Sequence, residues 1–159
     1  MKWIIPLVLV LASNWACAHG VKLSVPDHPK WKQECGSCHI AYPPQFLTAG
    51  NWQKMMNSLD KHFGENAVLD PQDKKDIGEF LTRYAATGAK HSASSLRISD
   101  TAWFRHEHDE LSAKAWVNPA IRSRANCTAC HVNAERGDWS ERGIRMPAGL
   151  REEENDNDD

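Results

Sequence analysis

The pentapeptide Cys35-Gly36-Ser37-Cys38-His39 constrains this chain more than any other stretch, and it returns as Cys127-Thr128-Ala129-Cys130-His131. A Cys-x-x-Cys-His run is the attachment signature of a c-type haem. The two thiols add across the vinyl groups of one macrocycle, and the adjacent histidine is held where it binds the iron. Two copies predict two covalently bound haem c groups, attached through Cys35, Cys38, Cys127 and Cys130, with His39 and His131 as proximal ligands. A redox or zinc-binding Cys-x-x-Cys is the competing reading. The histidine trailing both copies, in a chain that reads as exported, weighs against it.

Export is read from the first residues. Met1-Lys2-Trp3 supplies a positive start, Ile4 to Ala12 an apolar run too short to span a bilayer, and Ala16-Cys17-Ala18 a small-x-small cleavage pattern. This predicts a signal peptide over 1–18, cut after Ala18, and a periplasmic product. A lipoprotein reading of Cys17 meets Asn14 and Trp15 where small or aliphatic residues are wanted. With Cys17 removed, the remaining cysteines all belong to the two motifs, and none is left for a disulfide. No later apolar stretch approaches membrane length, so no membrane span is expected in the mature chain. The formal net charge is −2, and the acidity sits in Arg151 to Asp159, which has six acids, one base and no apolar residue and reads as an acidic disordered tail over 151–159. Nucleic acid is not an expected partner.

The fold expected is mainly α, with an N-terminal haem domain over 19–90 and a C-terminal haem domain over 91–150, the first built like a class I cytochrome c and the second irregular and helical. Units this small bury little apolar surface unaided, so each haem should serve as part of a core. Asp27-His28-Pro29 opens a helix expected to carry the first cysteines, and Tyr42-Pro43-Pro44 forces an extended segment after it. Asn51 is expected to cap a helix running to Gly64, with Trp52, Met55, Met56, Leu59 and Phe63 on its apolar stripe. Asp70-Pro71 starts a helix with Ile77, Phe80, Leu81 and Tyr84 on one face, before a stop at Gly88. Residues 85–99 read as a linker, Asp100 or Thr101 as the cap of the next helix, and Asn118-Pro119 as the start of a helix running into Cys127.

An iron bound by a proximal histidine needs something on its other side. His62, at the edge of the stripe, is the candidate for the first motif, with a core histidine bonded to a carbonyl as the ordinary alternative and Met55 and Met56 as competitors. For the second, Phe104, His108, Leu111 and Ala115 share a helical face, which favours His108 and leaves His106 as the alternative. His28, His91 and Met146 (before Pro147) are weaker candidates. The separation from His39 to His62 equals that from His108 to His131, and a crossed pairing between the halves stays open at this level.

Glu34 through His39 with Tyr42-Pro43-Pro44, then Trp52, Leu59 and His62-Phe63-Gly64, then Trp103 with His108, and Ala125-Asn126-Cys127 through His131 with Pro147, resembles the bacterial dihaem cytochromes c known as DHC. The likeness spans nearly the whole chain between leader and tail. It implies two bis-histidine haems, with His62 and His108 matching the sixth-ligand positions. It also implies electron exchange with other redox proteins, such as a small high-spin monohaem cytochrome or a membrane b-type cytochrome. Irons closed by two histidines offer no site to peroxide, oxygen or nitrite, so the expectation is a non-enzymatic carrier of single electrons. The alternative is a small haem peroxidase or reductase with one open or Met146-ligated iron. A redox sensor would expect a signalling domain, and none is read here.

Overall fold

The computed structural model describes residues 23–150. The signal peptide, its cleavage site and the acidic tail lie outside the described residues. Those described form short helices and 3₁₀ turns without β-strands, the mainly α architecture expected.

Three helices build the N-terminal part. The first, α1 (Pro29–Cys35), has proline in its first turn and is capped by the His28 side chain, which accepts from the Trp31 N–H at 3.0 Å. It ends at Cys35, so Cys38 and His39 lie in the turn beyond it. The second, α2 (Ala49–Met56), is capped by Thr48, and Asn51 lies inside the helix. The helix stops at Met56 and does not reach Gly64, so the chain arrives at His62 through a 3₁₀ turn, Leu59–Lys61. The third, α3 (Pro71–Arg83), begins as its sequence dictates: Asp70 accepts from the Gln72 N–H at 2.8 Å, with proline next. It ends at Arg83, before Gly88.

These helices enclose one apolar cluster of Trp31, Leu47, Trp52, Met55, Met56, Ile77, Phe80 and Leu81. The Trp31 and Phe80 rings tie α1 to α3 at 5.2 Å, and the Trp52 indole donates to Pro44 O at 2.7 Å, anchoring the proline segment. Met55 and Met56 face this core, 7% and 6% exposed.

The segment between the two halves is bonded to α2. Buried Asn51 donates to Ala93 O at 2.5 Å, and its own carbonyl oxygen accepts from Thr48 at 2.7 Å and Ser92 at 2.8 Å. Leu96 and Ile98 pack on the first core. Asn51→Ala strands these partners, and the expected loss is about 1–3 kcal/mol of stability in chemical denaturation.

The C-terminal part is held by turns and by the helices α4 (Ala102–Glu107) and α5 (Ala113–Trp116). Thr101 caps α4, accepting from the Phe104 N–H at 3.0 Å and donating to Ile98 O at 2.8 Å. The helix expected from Asn118 is not formed. Arg122 takes a left-handed φ of 64°, which ends any helical run, and the chain reaches the second motif as turns and a 3₁₀ stretch at Cys127–Ala129.

Candidate haem-binding sites

The fold brings four histidines together as two pairs. His39 and His62 stand with ring centroids 6.1 Å apart and planes at 27°. His108 and His131 stand at the same 6.1 Å, with planes at 71°. The spacing has a chemical meaning. Two imidazoles on opposite sides of one metal, each with a metal–nitrogen bond of about 2 Å and a ring centroid roughly 1 Å behind it, are separated by about 6 Å. Each motif histidine stands beside the candidate from its own half.

Local structure aims each ring. His39 Nδ1 donates to Ile40 O at 2.7 Å and His108 Nδ1 to Phe104 O at 2.8 Å. Each bond fixes a tautomer with Nε2 unprotonated and free to bind iron. His108 follows α4 immediately and its ring lies on Phe104 at 4.1 Å, one turn back, but α4 stops at Glu107 and the expected face does not run on as one helix to Leu111 and Ala115. His62 is aimed differently. It opens a tight turn with Phe63 at φ 53° and Gly64 at φ 106°, closed by Glu65 N–H donating to His62 O at 3.0 Å. Two successive positive φ values are the signature of a type I′ turn, and they place the imidazole where helix α2 could not. The second motif is clasped by the C-terminal wrap, with Arg145 N–H donating to Cys130 O at 2.9 Å and a bridge between His131 and Ile144.

The residues fit haem as the bound group. Nδ1 of His62 and of His131 is buried without a protein partner, as is Nδ1 of His91, which stands in neither pair. Burial, followed by the paired histidine, pushes both imidazoles below their usual pKa and favours the neutral, metal-binding form. Burial pushes the Cys35 thiol up to about 11, with Glu34 adding to it, and pushes Cys127 to about 11. Beside the histidines, Phe63 and Val132 remain 43% and 50% exposed, offering apolar surface to an apolar macrocycle.

Other candidates lie elsewhere. His28 is spent as the α1 cap and packs on Phe80. His91 stacks on Trp103 at 4.9 Å. His106 is 79% exposed and points to Asp109, 3.8 Å away, which separates it from His108. Met55 and Met56 are core residues. Met146 is half-buried beyond the bridge at Ile144.

Four residues join the sites that spacing did not single out. Tyr42 stacks on His39 at 4.7 Å, and burial, then the nearby Cys127, pushes its phenol above the usual pKa. Trp139 lies against His131 at 5.3 Å. Arg97 sits 4.2 Å over the Phe63 ring, close enough to His62 to act on its pKa, and Arg124 sits 5.0 Å over Trp116, which touches His108. Arg97 reaches Phe63 across 34 residues, and the other three contacts join turns rather than faces of one helix, so helical periodicity carries no signal for them.

Comparison with known proteins agrees with this geometry. The family model for dihaem cytochrome c, DHC, matches residues 31–139. The crystal structure of DHC from Rhodobacter sphaeroides is similar at 39% identity, with a TM-score of 0.64, covering 73% of this chain and 100% of that one. The dihaem cytochrome c from Shewanella baltica OS155 is similar at 36% identity, with a TM-score of 0.68, covering 78% and 96%. No curated protein matches the sequence. With its two motifs, its paired histidines and these relatives, the chain belongs to the dihaem cytochrome c family, carries two covalently bound haem c groups and is an electron-transfer protein.

Proposed function

We propose that the chain is a periplasmic carrier of single electrons whose two irons are each closed by two histidines, His39 with His62 and His131 with His108. The observation that carries this reading is the common 6.1 Å spacing of the two pairs. When bound, each haem supplies a one-electron iron couple. The chain does the rest. Cys35, Cys38, Cys127 and Cys130 would tether the haems, the four imidazoles would hold the irons and keep water and small oxidants off them, and the carbonyls of Ile40 and Phe104 hold two of the rings in place. Rigid ligands reorganise little on redox change, which suits transfer over catalysis.

Imidazole pairs lack the thioether that raises potential in His/Met cytochromes, placing both couples on the lower side of the c-type range. The haem domains run over 19–90 and 91–150, the first like a class I cytochrome c, and the mature chain begins at His19. Partners are other redox proteins, with a high-spin monohaem cytochrome or a membrane b-type cytochrome as the leading kinds. The test is carbon monoxide added to the reduced protein. Unchanged haem bands are expected, and a carbon monoxide adduct formed by a stoichiometric share of the haem overturns the reading.

Arg97 gives a second, smaller expectation. A cation beside His62 disfavours the extra positive charge of ferric iron, so Arg97→Gln should lower the first couple. For an exposed charge the shift is on the order of 1 kcal/mol or less, roughly 40 mV at most for one electron, read by spectroelectrochemical titration.

A further inference from the structure

Each motif histidine leans on an aromatic side chain whose other end belongs to the opposite half of the chain. Tyr42, in the N-terminal half, lies on His39 with planes at 21°, and its hydroxyl donates to Ala125 O at 2.6 Å, across 83 residues. That carbonyl precedes Cys127 by two positions, so one side chain touches the ligand of the first site and the strand of chain that tethers the second. Trp139, in the C-terminal half, makes the converse contact. Its indole lies against His131 at 5.3 Å and meets Phe46 edge-on at 4.8 Å and 78°. Phe46 is 4% exposed and packs on Trp103 at 5.0 Å. The Trp139 Nε1 is buried without a partner, so packing alone sets the ring. His39, Pro43, Ala134 and Trp139 wall one cleft of about 470 Å³ between the halves.

The orientation of an axial imidazole decides which iron orbital its π system meets, and groups behind the ring hold that orientation. We propose that Tyr42 and Trp139 are reciprocal positioning residues, each setting the imidazole plane of the haem site in its own half while anchored in the opposite half, so that the redox properties of either site depend on the packing of both. This rests on the histidine pairs proposed above.

The test is electron paramagnetic resonance of the ferric holoprotein and its variants, with haem content measured alongside. Tyr42→Leu is expected to shift the low-spin signal of the near-parallel pair. Trp139→Leu, and Phe46→Leu in the other half, are expected to shift the signal of the near-perpendicular pair. If Tyr42→Leu loads too little haem, Tyr42→Phe keeps the stack and removes only the hold on Ala125. Its first signal should broaden or move, and a signal superimposable on wild type overturns the brace. Two wild-type low-spin signals that stay in place in Tyr42→Leu and Phe46→Leu at full haem content overturn it also. A high-spin signal in the wild type fails earlier and differently, because it removes the histidine-pair reading itself.

Discussion

His62→Ala converts the first haem to a high-spin iron that binds carbon monoxide when reduced, and His108→Ala does the same at the second. Each variant should change about half the haem absorbance and leave the other half as in wild type, because each ring faces one motif histidine only. Substitutes are not at hand. His91 is held on Trp103, Met55 and Met56 are locked in the first core, and His106 points away toward Asp109. His106→Ala and His91→Ala are therefore expected to leave both irons low spin. The loss of one imidazole also removes the strong donor that stabilises ferric iron, so the opened couple should rise. A His62→Ala protein that stays wholly low spin would show that another side chain reaches the first iron.

Loss of the second attachment has the other large effect. Cys127→Ser with Cys130→Ser should halve the haem content and release the C-terminal half from its fold, while α1, α2 and α3 stay packed. The reason is the distribution of buried apolar mass. Among the described residues the buried members of the large cluster all lie between Trp31 and Leu81, with tryptophans, a phenylalanine and two methionines in it. Among the described residues after 100 the buried apolar side chains are Phe104, Ala115, Ile121 and Ala134, too little to hold a unit of turns and two short helices. A covalently held macrocycle supplies the missing core. Hydrogen exchange checks this: amides of α2 and α3 should keep their protection, and those of the His131–Ile144 clasp should lose it. Protection persisting around Arg145, whose N–H bonds Cys130, would contradict it. The first site should feel the change too, since Tyr42 loses Ala125 as an ordered acceptor.

Much of this is legible in the residues. The haem motifs, the Asp70-Pro71 start of α3 and its apolar face are local signals, and the structure repeats them. The apolar stripe places His62 on a helix running to Gly64, yet the helix ends at Met56 and a turn with Phe63 and Gly64 at positive φ does the aiming. The glycine was visible; the left-handed phenylalanine was not, because only tertiary packing holds a non-glycine residue there. Asn51 illustrates the same limit. It carries the composition of a cap, but Thr48 takes that role because Asn51 is drawn inward to Ala93 and Ser92. After Pro119 the chain has little apolar periodicity, and Arg122 at positive φ marks where a helix reading fails. Tyr42 and Trp139 act through contacts between distant segments, which no spacing in one sequence announces.

The account stands most directly on the low-temperature electron paramagnetic resonance spectrum of the fully oxidised wild-type protein. Two histidine pairs with planes at 27° and 71° predict two low-spin ferric signals of equal weight and different anisotropy, a rhombic one from His39 and His62 and a more strongly anisotropic one from His108 and His131. A high-spin signal integrating to a full haem would contradict it.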